Sequence, residues 1–212
     1  MSKRHVRRML RQMASGEPVE VAPAMATTKT FTRLAFVAQQ FGYAYADIRQ
    51  GGGPQGNGYV MLIVPDPSPR ARARAARNWA LYPNAIDGGA LPPLVPERVE
   101  LLKARITFDL TAMYGSRQLL VLSGVAALPL AVPFGFVLGS GATAVGIACV
   151  VWAALMSLTP IGFAVNRRYR RKCAALLQDA GFTLVTDETG RLRCVPPDGQ
   201  LPGHGNPFAA GT

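Results

Sequence analysis

From residue 118 to residue 166 the chain carries no Asp, Glu, Lys, Arg or His. A soluble helix needs a polar stripe facing water, so this absence argues against two core helices of a soluble bundle. It also disfavours an ion-coupled transporter, which needs ionisable groups inside the bilayer. Cysteine is scarce as well. Cys149, Cys173 and Cys194 form neither a CxxC pair nor a disulfide framework, which excludes a stapled secreted domain. The two histidines, His5 and His204, fall in segments expected to be tails and give a metal site no support. The basic start MSKRHVRRMLRQMASGEP is followed by no apolar run, so cleavage and export are not expected and the N-terminus is expected in the cytoplasm.

The uncharged block divides into QLLVLSGVAALPLAVPFGFVL (118–138) and TAVGIACVVWAALMSLTPIGFAV (143–165), joined by GSGA. Each is about 20 residues, the length that spans a hydrocarbon core of roughly 30 Å as a helix. The reading is a transmembrane hairpin over 118–165, with both soluble ends on one side. Arg117 flanks the first span, and Arg167, Arg168, Arg170, Arg171 and Lys172 flank the second, whereas the turn is uncharged. The positive-inside rule then places both termini in the cytoplasm of a bacterial inner membrane. Pro129, Pro133 and Pro160 are sites for kinks. Small residues four apart (Ser123 and Ala127, Gly135 and Gly139, Ala144 and Ala148) allow close helix approach, within the hairpin or in a homo-oligomer. Abundant Ala, Gly, Pro and Arg carry the codon signature of a GC-rich genome, such as an actinobacterium's.

The remaining chain predicts a small cytoplasmic α/β domain built from segments before and after the hairpin, making the whole an α+β membrane protein. Residues 1–26 are expected to be a basic arm without fixed structure. Over 27–96 the order is helix, strand, strand, helix: Phe31, Leu34, Ala38 and Phe41 share a helical face, Gly42 stops the helix, and YAYADI and YVMLIV are strands around GGGPQGNG. Ser68 is the expected N-cap of the next helix, with Pro69 in its first turn and Pro83 ending it. Residues 97–117 predict an amphipathic stem with Val99, Leu102, Ile106, Leu110 and Met113 on one stripe, its mixed charge suiting contact with protein. The helix–Gly–aromatic–strand–turn–strand order recurs over 166–196, where Tyr169, Cys173, Leu176 and Ala180 share a face and Gly181 mirrors Gly42. The two strand pairs are expected to join as one four-stranded sheet covered by helices, because a lone hairpin is marginal in water. Residues 197–212 are Pro/Gly-rich and expected to be disordered.

No catalytic, cofactor-binding or metal-ligating residue can be named. GGGPQGNG lacks the Lys-Ser/Thr of a phosphate loop and joins strand to strand, and no serine or cysteine nucleophile has a nearby base. The net charge of +11 favours an anionic partner: nucleic acid, phospholipid headgroups or acidic protein. Arg70, Arg72, Arg74 and Arg77 crowd the start of one predicted helix, where each opposes the helix dipole at a cost of about 0.3–1 kcal/mol. They are candidate contacts for an anion or a lipid headgroup, against a plainly solvated face. Lys3, Arg4, Arg7, Arg8 and Arg11 admit the same readings. Nucleic acid is disfavoured, since neither a recognition helix nor an aromatic stacking platform is evident. The functional expectation is a two-pass inner-membrane protein serving as an anchored interaction or scaffold module for an unidentified protein partner. A small oligomeric channel or transport subunit and a membrane-tethered nucleic-acid binder are the alternatives.

Overall fold

A computed structural model describes residues 3–23, 27–52, 58–113, 116–138, 141–186 and 192–195. The helices are α1 (Lys3–Met13), α2 (Thr28–Gln40), α3 (Pro69–Leu81), α4 (Pro96–Ala112), α5 (Ser116–Leu138), α6 (Ala142–Ser157) and α7 (Thr159–Asp179). The strands are β1 (Val19–Val21), β2 (Tyr43–Gly52), β3 (Gly58–Pro65), β4 (Thr183–Thr186) and β5 (Leu192–Val195). The chain divides into two compact units, one made of residues 1–110 and 173–212 and the other of 111–172.

In the first unit, β1, β3 and β2 form an antiparallel sheet in that order. The apolar stretch Val60–Ile63 of the central strand is buried throughout, as a strand without a polar face requires. Local rules explain the flanking helices. Thr27 caps α2 through the Thr30 amide, and Ser68 caps α3 through the Ala71 amide, with Pro69 in the first turn. Gly42 (φ 88°) and Gly181 (φ 84°) turn the chain out of α2 and α7 in the left-handed region. After α7 the Gly181 and Phe182 amides return to the carbonyls of Gln178 and Leu177, closing the helix end. The predicted helix–Gly–aromatic–strand–strand order is therefore present twice, as α2-β2-β3 and α7-β4-β5.

Three expectations need correction. Among the described residues the four-stranded sheet is not present: β4 and β5 make a separate two-stranded sheet, and β1 takes the edge of β3 that β2 leaves open. Within the N-terminal arm, Lys3–Met13 is helical and Val19–Val21 a strand, with Val6, Met9, Leu10 and Met13 of α1 all buried, and the Tyr43 hydroxyl donates to the Met13 carbonyl. The inner face of α7 is also rotated from the one predicted. Cys173 and Leu177 are buried, while Leu176 and Tyr169 are 42% and 51% exposed.

The stem α4 packs on protein from two sides. Leu102, Ile106 and Asp109 are buried, and Asp109 meets Tyr45 of β2; Ala104 and Phe108 join Cys173, Leu177 and Cys194 in a second apolar cluster. One helix thus serves both halves of the discontinuous unit, which is why its burial is wider than a single stripe.

In the second unit, α5 and α6 pair. The Trp152 indole donates to the Gly124 carbonyl at 3.1 Å, and Ala127, Ala131 and Ala144 are buried. Gly124, early in α5, faces Trp152 and Met156, late in α6, the register of an antiparallel pair. The helical run Ala142–Asp179 is long and apolar enough to cross a membrane, and Ser123–Pro133 is a shorter apolar helix. Leu158 interrupts the run between α6 and α7, where Pro160 has no amide hydrogen to give the preceding turn.

Candidate anion-binding surface

The basic face of α1 is built by burial of the opposite one. Val6, Met9, Leu10 and Met13 recur at spacings of three, one and three and are at most 4% exposed. This places Arg4, Arg7, Arg8 and Arg11 toward solvent, with Arg7 partly covered. The four arginines and Gln12 line an open hollow of about 500 Å³ whose walls are the side chains themselves. At helical spacing, Arg4/Arg8, Arg7/Arg11, Arg4/Arg7 and Arg8/Arg11 are like-charged neighbours, each pair costing roughly 0.2–0.5 kcal/mol. Burying one apolar side chain contributes about 1.5–3 kcal/mol, so four of them hold the helix despite the repulsion. Arg11 lies 3.4 Å from Asp87, an exposed pair that offsets little of the charge.

The arginines of α3 divide in role. Arg74 is half-buried, and its Nε donates to the Gln39 carbonyl at 2.8 Å; Asn78 Nδ2 donates to the Gln40 carbonyl at the same distance. Together they satisfy carbonyls at the end of α2, where a cation also complements the helix dipole. Removal from water holds Arg74 below the usual guanidinium pKa, with Asp66 opposing the shift. Arg74 Nε is therefore engaged by the protein's own backbone. Arg70, Arg72 and Arg77 are exposed on the same helix.

On α7, Arg167, Arg168, Arg171 and Lys172 are exposed and Arg170 is partly covered. The Arg117 side chain lies outside the described residues, as do Gly53–Asn57 of the glycine-rich loop, His204 and the tail from 196 onward. Strands β2 and β3 pair up to Gly52 and Gly58, so the glycine-rich segment joins strand to strand.

A buried polar cluster escaped the sequence reading. The Tyr45 hydroxyl donates to Asp109 Oδ2 at 2.8 Å, and the Arg105 guanidinium stands 5.0 Å from the centre of the Tyr45 ring. Arg193 Nη2 donates to Asp47 Oδ2 at 2.7 Å, while Asp47 Oδ1 accepts from the Ile48 amide. Burial, reinforced by Asp109, raises the Tyr45 pKa well above its ordinary value. The same two causes push the Cys194 thiol up to about 11, so it is protonated and unreactive at neutral pH. These groups face one another across α4, β2 and β5, and their arrangement joins elements more than it prepares a reaction. The signal for it was slight, since Asp109 is one of several charged residues of α4 and Asp47 one of several polar residues of β2. Among the described residues, no group of three or more His, Cys, Asp or Glu is placed to hold a metal ion.

No protein-family model matches the chain, and no curated protein or solved structure matches it either. The functional reading therefore rests on its own residues, and chiefly on the contrast between the uncharged helices and the arginine-lined surface.

Proposed function

We propose that the protein is a two-pass inner-membrane protein whose basic cytoplasmic unit serves as an anchored interaction module. The observation supporting this most directly is exposure. Only 6% of the most apolar stretch of the Ala142–Asp179 run is buried, and on α5 Phe136 and Val137 are 73% and 81% exposed. A core helix of a soluble protein would be covered, whereas lipid is the natural solvent for such a surface. In this reading 118–138 and 143–165 both cross the bilayer. The five cations of 167–172, with Arg117, then keep both termini in the cytoplasm.

The test is topological. Reporter fusions at the turn and at both ends should place the turn opposite the two termini, and alkaline carbonate should leave the chain in the membrane. A cytoplasmic turn would remove the two-pass arrangement, and release by carbonate would remove the anchor itself.

A further inference from the structure

We infer that the arginine-lined hollow of α1 is a docking surface for the phosphate-bearing headgroups of anionic phospholipids. This rests on the membrane-anchored reading and assigns its partner to a specific face. Val6, Met9, Leu10 and Met13 are committed to the protein interior, so α1 cannot lie in a bilayer by its apolar side. What it offers is charge. Arg4, Arg7, Arg8 and Arg11 converge on one open space, each guanidinium able to give paired hydrogen bonds to phosphate oxygens. The like-charge repulsion within α1 is relieved by an anion, and Asp87, an exposed partner 3.4 Å from Arg11, supplies little of that relief.

Headgroups fit this surface better than nucleic acid does. The lining contains no aromatic ring for base stacking; beyond the arginines it holds only Gln12. The hollow is shallow and open, which suits a layer of phosphates presented side by side. A second source of the same chemistry, free phosphate, has the charge but not the multivalency of a lipid surface.

The experiment uses the full chain held in a phosphatidylcholine nanodisc, with binding in trans to immobilised vesicles followed by surface plasmon resonance. Phosphatidylglycerol vesicles should bind and phosphatidylcholine vesicles should not, and binding should fall steeply with salt. The triple variant Arg4→Gln, Arg7→Gln, Arg8→Gln should weaken binding on the order of a hundredfold, from about 1 kcal/mol per basic residue at an anionic surface. Because these side chains are wholly or partly solvent-facing and mutually repulsive, the variant should unfold at the wild-type temperature or above it.

Equal binding by the triple variant would overturn the assignment to α1, and so would wild-type binding insensitive to salt. Tighter binding to a duplex oligonucleotide than to phosphatidylglycerol would transfer the surface to nucleic acid, and full competition by inorganic phosphate at matched phosphate concentration would make it a free-anion site. Failure of the membrane-anchored reading looks different: the chain would stay in solution without a nanodisc, whatever the vesicle arms report.

Discussion

Arg193 and Asp47 meet at 2.7 Å although 146 residues separate them in sequence. Their side chains are 16% and 6% exposed, so the pair is largely removed from water. It links the strand β5 to the strand β2 by side chains, where the sequence had predicted a shared backbone ladder.

Replacing Asp47 with Ala should therefore be costly, since Arg193 would lose a carboxylate in a poorly solvated place. The expected loss is about 3 kcal/mol of unfolding free energy, and Arg193→Ala should cost a comparable amount. In denaturant titrations of the detergent-solubilised protein, the double replacement should cost clearly less than the two single effects added together. Strict additivity would show that the pair contributes no coupling.

Tyr45→Phe should cost about 1–3 kcal/mol, because it removes the hydroxyl donated to buried Asp109 while leaving the ring under Arg105. The same denaturant titration reads it. An unchanged midpoint would mean that Asp109 loses nothing when that donor goes.

Arg74→Ala should destabilise by about 1–2 kcal/mol through loss of the bond to the Gln39 carbonyl. Exposed Arg72 and Arg77, by contrast, should tolerate alanine within about 0.5 kcal/mol. Thermal melts of the three single variants separate a capping arginine from its solvated neighbours on one helix.

Stability should decline in alkali. Cys194, raised from 9.0 to about 11, and Tyr45, raised well above 10.0, hold their protons more tightly in the folded chain than in the unfolded one. The Cys194 contribution is whole below pH 9.0 and is lost as pH climbs through about 11, whereas that of Tyr45 is whole below pH 10.0 and declines only well above it. Cys194→Ala should flatten the fall in melting temperature across that window, and an unaltered slope would count against the thiol.

Replacing Arg167, Arg168, Arg170, Arg171 and Lys172 with Gln should disturb insertion or orientation before it disturbs contact with any nucleic acid. Glycosylation or alkylation mapping of the turn reads the outcome. Wild-type topology in the five-fold variant would show that other features set the orientation.

The elements that sequence disclosed best are those with local causes. Ser68 and Pro69 start α3, Gly42 and Gly181 stop two helices, and an apolar strand at 60–63 demanded cover on both sides. Helix α1 was legible too, in the spacing of Val6, Met9, Leu10 and Met13, but the density of arginine drew attention to charge and away from period. Other features depend on partners distant in sequence. The Arg74 contact with Gln39 spans 35 residues, and the three-residue strand β1, which takes the edge of β3, carries too short a pattern to announce itself. The rotation of α7 toward Leu177 is set by what lies against it, namely Phe108 and Cys194, and not by its own composition.

A unit assembled from residues 1–110 and 173–212 has a consequence for synthesis. A ribosome delivers Asp47, Tyr45 and the whole of α4 long before it delivers Cys173, Leu177 and Arg193. Until then the inner surface of α4 around Ala104 and Phe108 lacks the cover of Cys173, Leu177 and Cys194, and the Asp47 carboxylate lacks its bond to Arg193. The intervening helices therefore act as a timing element in synthesis. The first half stays incomplete, and open to chaperones or proteases, until they have left the ribosome and the final strands return to close it.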